Sequence, residues 1–169
     1  MYGAVAYACR LNDLLRKNGI YWGEKKIFMT FELHPDLKRD GIPVGRFPLC
    51  LVLLINDRSY PWFVLVPERE NVRDTIDLKV PDYERLWKES RVFGGGIMQV
   101  FSGEKLNVAA LGNVTPQLHV HHIVRFSNDP AWPAPIWGKQ PMVPYDAEGI
   151  HQVRDKLNAA MISGFEVMA

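Results

Sequence analysis

Two short apolar runs separated by a polar turn constrain the fold of this chain more than any other feature. Residues 49–55 are apolar without interruption, residues 56–61 are polar or turn-forming, and residues 62–66 are apolar again. Such runs have the length of buried strands and fall well short of the roughly 18 apolar residues that cross a bilayer. Because the intervening turn is short, the two runs are predicted to pair as an antiparallel hairpin.

Weaker patterns predict further elements before and after the hairpin. Phe28–Leu33 alternates and is predicted to be a strand, and Gly41–Gly45 is predicted to be a turn. Asp74–Leu78 is predicted to form a short helical turn. A longer helix is expected to open at Pro81, because proline and acidic residues suit a first helical turn. The glycines of Gly94–Gly96 are expected to kink or break that helix.

The second half of the chain contributes two more strands and a final helix. Glu104–Ala110 and Gln117–Arg125 have the composition of core strands, Asn128–Pro144 is rich in proline and tryptophan and is predicted to be irregular, and Ala147–Met161 has apolar residues at helical spacing. Short connections favour antiparallel pairing. The pattern therefore predicts an α+β fold, with an antiparallel sheet of about five strands and helices packed on one side.

The chain of 169 residues suits one domain preceded by an extension. Residues 1–26 are predicted to be an N-terminal extension, in which Val5–Lys17 forms a short amphipathic helix that ends at Asn18–Gly19. Residues 27–169 are predicted to form a single domain that includes the C-terminal helix.

Charge and cysteine content narrow the class of partner and the compartment. The 20 basic and 19 acidic residues give a formal net charge of +1, which is unlike the basic surfaces that bind nucleic-acid polymers. Cys9 and Cys50 lack both the number of a disulfide framework and the spacing of a metal site. No secretory leader and no membrane-spanning run is recognised, so a cytoplasmic location without membrane association is predicted.

A row of polar side chains near residue 120 carries the chemical signal. Three of the five histidines lie within four consecutive positions. Because alternate side chains of a strand share a face, Gln117, His119 and His121 are predicted to point one way, while Leu118 and Val120 enter the core. A neutral imidazole is a nucleophile toward phosphorus, and a protonated neighbour would stabilise the phosphoryl oxygens as charge builds. The row therefore favours phosphoryl or nucleotidyl transfer through a covalent phosphoramidate.

This segment resembles the signature of the histidine triad superfamily, in which histidines alternate with apolar residues and an arginine often follows. His119 matches the nucleophile, His121 matches the phosphate-contacting third histidine, and Arg125 lies where that pattern places it. Gln117 replaces the first histidine and is expected to be a catalytic-site residue that holds the phosphate oxygens together with His121. The stretch from Leu106 through Trp137-Gly138 resembles bacterial members described as diadenosine tetraphosphate hydrolase-like. The resemblance implies the fold of that superfamily and a homodimer.

The resemblance also implies the remaining site residues and the activity. Asn56 matches an asparagine that contacts the nucleotide ribose, and Asn107 and Asn113 lie where polar residues contact phosphate. The expected function is hydrolysis or transfer on dinucleoside polyphosphates or nucleoside monophosphate conjugates, through a nucleotidyl-histidine intermediate. No cofactor is expected to be required, and the role considered for Mg²⁺ is that of an ion bound to the substrate phosphates.

Two other interpretations stay open at this point. The first is a nucleotide-binding protein in which Gln117 marks weak catalysis. The second is a zinc site built on His119 and His121, for which the sequence offers no evident third ligand. Outside the row, His122 is predicted to be a packed structural histidine, and Trp132 and Trp137 are equally suited to stacking on a base and to filling a core.

Overall fold

The computed structural model describes residues 31–168. The predicted helix Val5–Lys17, the domain boundary at residue 26 and Cys9 lie outside these residues. The described part contains six strands, three α-helices and one 3₁₀ turn. In chain order they are α1 (Pro35–Asp40), β1 (Gly41–Arg46), β2 (Cys50–Ile55), β3 (Trp62–Pro67), the 3₁₀ turn (Thr75–Asp77), α2 (Val80–Val100), β4 (Lys105–Ala109), β5 (Val120–Arg125), α3 (Ala147–Ala159) and β6 (Glu166–Val167).

The strands form one antiparallel sheet in the order β4-β5-β3-β2-β1-β6. The predicted hairpin is confirmed, because β2 pairs with β3 from Cys50 opposite Pro67 to Leu54 opposite Phe63. The α+β class and the antiparallel sheet are confirmed as well. The sheet has one strand more than expected. Among the described residues, no helix is both long and apolar enough to pass through a bilayer.

Two strands were not predicted, β1 and the short β6, and β1 arises where the sequence predicted a turn. Gly41–Gly45 belongs to β1, so the turn prediction is wrong. Its register with β2 shifts between Pro43 and Gly45, and such a bulge is one of the few places where a sheet accepts proline. The glycines and the proline that suggested a turn are therefore compatible with a strand that contains a bulge at this position.

Alternation along β2 explains its unbroken apolar run. Val52 and Leu54 enter the main core, which the two long helices α2 and α3 cover with Leu86, Phe93, Ile97, Val153 and Leu157. Leu51 and Leu53 point to the other face and pack with Leu37 of α1. Because both faces are covered, both sets of side chains are apolar.

The long helix runs without interruption through Gly94–Gly96, so the predicted break is wrong. A Cβ atom on Gly94 would lie 2.7 Å from Leu106 of β4, and one on Gly96 would meet Ile162. Gly94 and Gly96 therefore let α2 lie close against its neighbours, whereas Gly95 faces open space. The packing gained there offsets the roughly 1 kcal/mol that each glycine costs a helix.

The segment before β1 also differs from the prediction. Residues 31–33 form no strand, and α1 follows directly, with Pro35 in its first turn and His34 as its N-cap. His34 Nδ1 accepts a hydrogen bond from the backbone N–H of Asp36 at 3.2 Å. Leu33 is buried by packing of the second cluster rather than by strand pairing, which explains its apolar character.

Candidate active site

The strand that carries the histidines is shorter than predicted. β5 begins at Val120, so Gln117 and His119 precede it. His121 pairs with Val64 of β3 on one side and with Ala109 of β4 on the other, which places it inside the sheet. The two histidines of the row nevertheless come together: the ring centroids of His119 and His121 are 4.9 Å apart, and each residue is 7% exposed.

The hydrogen bond of His119 decides which of its nitrogens can attack. Its Nδ1 lies 2.7 Å from the backbone carbonyl oxygen of Gln117. A carbonyl oxygen only accepts, so Nδ1 carries the hydrogen. In the neutral ring the unshared pair is then on Nε2, which is the nitrogen available to a phosphorus atom.

His121 has the opposite hydrogen-bond polarity at Nδ1. The indole N–H of Trp62 donates to His121 Nδ1 at 3.0 Å, and an indole can only donate. The neutral ring therefore carries its hydrogen on Nε2. Burial, together with the nearby His119 and His122 rings, lowers the pKa of His121 to about 3. The expectation of a protonated neighbour is corrected, because the surroundings keep His121 a neutral donor near pH 7.

The side-chain amide of Gln117 is not free to act beside His119 and His121. Its Oε1 accepts from the backbone N–H of His34 at 2.8 Å, and its Nε2 donates to the backbone carbonyl of Glu32 at 3.0 Å. The residue instead reaches His119 through its own carbonyl oxygen. The regular strand that would have pointed the Gln117 side chain alongside the histidines is not formed.

The three predicted asparagines lie at different places. Asn107, in β4, pairs with Ile123, and its Oδ1 accepts from Arg125 at 2.8 Å. Asn56 follows β2, and its Oδ1 accepts from the backbone N–H of Tyr145 at 2.9 Å. Asn113 is exposed in the loop between β4 and β5. Their proposed contacts with a nucleotide stay predictions.

A buried ion pair holds the end of β5 beside the site. The Arg125 guanidinium makes two hydrogen bonds to the Asp129 carboxylate, at 2.6 and 2.9 Å, and a third to the carbonyl of Ala134. The side chains of Arg125 and Asp129 are 1% and 3% exposed. Since this arginine already has a carboxylate partner, its charge is largely committed within the protein.

Sequence reasoning overlooked Trp62 and Asp129. Trp62 is the first residue of an apolar run, and nothing in that run marks its N–H as a partner of a histidine 59 positions later. The signal that would have revealed it is the sheet order. Once β3 is placed beside β5, Trp62 lies opposite Ile123 and therefore diagonal to His121.

His122 is the structural histidine that the alternation predicted. It faces α2, where its Nε2 accepts from the Ser90 hydroxyl at 2.8 Å and its Nδ1 donates to the Val120 carbonyl at 3.0 Å. Burial lowers its pKa to about 4, against the opposing effect of those two hydrogen bonds.

Acidification is therefore expected to destabilise the fold through His121 and His122. Their folded-state pKa values lie below the 6.5 of an unfolded histidine. The unfolded chain thus binds more protons as soon as the pH drops below about 6.5. Each residue should lower the free energy of unfolding by roughly 1.4 kcal/mol per pH unit, until the pH approaches its folded-state pKa. Urea unfolding from neutral pH down to about pH 5 measures this slope.

The matched variant for this prediction is His122→Gln, which cannot take up the proton. It should be less stable at neutral pH, because the Ser90 contact is lost, yet its stability should fall less steeply with acid. An unchanged slope in this variant would show that His122 is not the group being titrated.

The zinc interpretation gains no support from the geometry. Within residues 31–168, no group of three or more His, Cys, Asp or Glu side chains is arranged to hold a metal ion. In addition, the Nδ1 atoms of His119 and His121 already have protein partners.

Comparison with known proteins agrees with this geometry. The family model described as the HIT domain matches residues 38–128. A solved histidine triad protein from Marinobacter aquaeolei VT8 is 48% identical, with a TM-score of 0.76 over 78% of this chain and 96% of that one. Histidine triad proteins from Bradyrhizobium japonicum and Sinorhizobium meliloti 1021 are 39% and 38% identical, with TM-scores of 0.76 and 0.77; each alignment covers 78% of this chain and 98% of the other.

The chain has no significant match among curated proteins. The family model nevertheless spans more than half of the chain, and the solved relatives align over most of it. Together with the adjacent His119 and His121 rings, these matches show that the chain belongs to the histidine triad family.

Proposed function

We propose that this protein is a nucleotidyl hydrolase or transferase, acting on dinucleoside polyphosphates or on nucleoside monophosphates joined to another leaving group. The observation that carries the proposal is the opposite polarity of the two adjacent rings. His119 presents an unshared pair at Nε2, and His121, 4.9 Å away by ring centroid, presents an N–H at Nε2. One nucleophile and one donor are the groups that phosphoryl transfer needs.

The proposed reaction has two displacements at the α-phosphorus. His119 Nε2 forms a bond to phosphorus while the bond to the leaving-group oxygen breaks, giving a nucleotidyl-histidine. A water molecule then attacks the same phosphorus and releases one proton to the solvent, the N–P bond breaks, and the nucleoside monophosphate leaves with the neutral imidazole restored. Each displacement is easier than a direct attack by water on the substrate.

The other residues assist this reaction in different ways. His121 donates from Nε2 to a phosphoryl oxygen, which stabilises the charge that builds in each transition state. Gln117 orients His119 through its backbone carbonyl. Its side-chain amide is bound to the segment before α1. Since His121 is neutral and Arg125 is paired with Asp129, Mg²⁺ carried by the substrate is proposed to balance the phosphate charge.

Asn56, Asn107 and Asn113 are proposed nucleotide contacts, as the family resemblance implies. Asn56 and Asn107 each use Oδ1 within the protein, so their amide N–H groups are the atoms that would reach a ribose or phosphate oxygen. A homodimer is retained as a proposal of the same origin, and a cytoplasmic location as a proposal that rests on the sequence analysis.

Trapping of the intermediate tests the proposal. The protein is mixed with diadenosine tetraphosphate or with an adenosine phosphoramidate, quenched in alkali because N–P bonds hydrolyse in acid, and digested with trypsin. The histidine row falls within a single tryptic peptide, residues 106–125. We expect adenylate on His119 of that peptide, together with release of AMP. An adduct confined to another residue would contradict the mechanism.

The alternative is a nucleotide-binding protein with weak catalysis. The specific observation in its favour is that the first triad position holds an amide, which does not titrate, and that this amide is bound to backbone and so is not free to donate to a leaving group. Binding of AMP by calorimetry, with neither turnover nor adduct for any substrate tried, would establish this alternative in place of the enzyme.

A further inference from the structure

Two tryptophans enclose the ring of His121. The centroid of Trp62 lies 5.6 Å from that of His121, and the centroid of Trp137 lies 5.3 Å from it at an interplanar angle of 77°. The two tryptophans also contact each other edge to face, at 6.3 Å. His121 is thus held by aromatic packing on two sides and by one hydrogen bond, from the Trp62 indole.

That hydrogen bond determines more than the position of the ring. A histidine ring can flip by half a turn, and its neutral form can carry the hydrogen on either nitrogen. A donor that cannot accept excludes a hydrogen on Nδ1, and its fixed place excludes the flipped ring. What remains is one orientation with one N–H, at Nε2.

We propose that Trp62 is a positioning residue of the reaction, whose indole N–H holds His121 as the tautomer that donates to the transferring phosphoryl group. This inference rests on the proposed function. Strand pairing brings the two residues together. Trp62 is the first residue of β3, β3 pairs with β5, and Trp62 lies diagonal to His121 across that pair. The lowered pKa of His121 agrees with a ring kept neutral.

Trp137 serves as the internal control for this role. Its ring lies as close to His121 as that of Trp62, but the hydrogen bond to Nδ1 comes from Trp62. Trp62→Phe removes the N–H and part of the ring, whereas Trp137→Phe removes similar ring area beside the same histidine. A difference between the two variants therefore reports the hydrogen bond rather than the packing.

Nitrogen-15 NMR of the full chain measures the tautomer directly. In the wild type we expect His121 Nδ1 to show the shift of an unprotonated ring nitrogen, Nε2 that of a protonated one, and a scalar coupling across the hydrogen bond between Trp62 Nε1 and His121 Nδ1. Trp137→Phe should preserve all three signals. Trp62→Phe should lose the coupling and give a mixture of tautomers. A protonated Nδ1 in the wild type would overturn the proposal even if Trp62→Phe failed to fold.

Turnover separates this proposal from the function on which it rests. Trp62→Phe should lower kcat roughly tenfold to a hundredfold, as loss of a group that orients a reacting residue does, and it should change KM much less. If the wild type is active and Trp62→Phe turns over as fast as Trp137→Phe, the positioning role is wrong while the function stands. If the wild type turns over no nucleotide, the proposed function fails and the positioning role of Trp62 in the reaction fails with it.

Discussion

Replacement of His119 by alanine is expected to abolish nucleotide turnover, with a loss of kcat of roughly ten-thousandfold or more. The variant lacks the nitrogen that forms the bond to phosphorus, and the described site offers no equivalent: His121 presents an N–H rather than an unshared pair, and His122 faces α2. Steady-state release of AMP from diadenosine tetraphosphate measures the loss, and the alkaline-quenched peptide 106–125 should carry no adenylate.

The control for this experiment is His151→Ala. The His151 side chain is 70% exposed on α3 and lies 3.8 Å from Asp155. It has no part in the proposed reaction. Its removal should leave turnover unchanged. Thermal unfolding of His119→Ala should remain cooperative, so that lost activity is not lost fold. Turnover by His119→Ala within a few fold of the wild type would rule out the proposed nucleophile.

Removal of either member of the Arg125–Asp129 pair is expected to lower the free energy of unfolding by about 3–5 kcal/mol. Both side chains are almost fully buried, so Arg125→Ala leaves a carboxylate without its main partner, and Asp129→Ala leaves an unpaired guanidinium. Arg125→Ala also deprives Asn107 of its hydrogen bond. Urea unfolding at neutral pH measures the loss, and an unchanged m-value shows that the folded state remains compact.

The double variant Arg125→Met/Asp129→Leu tests the physical reason for this loss. If the cost is an uncompensated buried charge, removing both charges should recover much of the stability that each single variant loses. A surface pair provides the matched comparison. Lys38 and Glu32 lie 3.0 Å apart with exposed side chains, and Lys38→Ala should hardly change the free energy of unfolding. The prediction would be contradicted if Arg125→Ala and Asp129→Ala lowered the free energy of unfolding as little as Lys38→Ala does.

The same pair also adds to the loss of stability in acid. Burial alone would raise the pKa of Asp129, but hydrogen bonds from Arg125 and from two backbone N–H groups outweigh it and hold this pKa below its usual value. A depressed carboxyl pKa contributes stability above the unfolded-state pKa and loses it as the pH falls through the folded-state value. This contribution therefore disappears at lower pH than that of His121 and His122.

Features that depend on neighbours in sequence were predictable. The hairpin of β2 and β3 follows from two apolar runs around a short turn, and the opposite facing of His121 and His122 follows from the two-residue period of a strand. The 3₁₀ turn and the final helix were found close to their predicted places for the same reason. In each case the interactions that form the element lie within it or between adjacent segments.

Elements that form against the local preference of their residues were missed, because packing against the rest of the molecule stabilises them. β1 contains glycine and proline, and it is a strand because β2 offers a buried edge with which it pairs. α2 continues through three glycines, two of which, Gly94 and Gly96, let it pack directly against Leu106 and Ile162. Local propensity contributes only a fraction of a kcal/mol to about 1 kcal/mol per residue, so packing of this kind overrides it.

The site likewise has features that follow from local sequence and features that depend on tertiary contacts. The sequence predicted that His119 and His121 lie together, because residues two apart in a strand share a face. The same spacing does not bring the Gln117 amide beside them, because β5 begins only at Val120. The hydrogen of His119 is placed by the Gln117 carbonyl two residues away, whereas only the tertiary structure decided where the hydrogen of His121 is and that the Gln117 amide is engaged with the segment before α1. Those features depend on Trp62, 59 positions from His121, and on His34, 83 positions from Gln117. A hydrogen on a ring nitrogen is placed by the atom facing it, and strand pairing and chain packing bring that atom there.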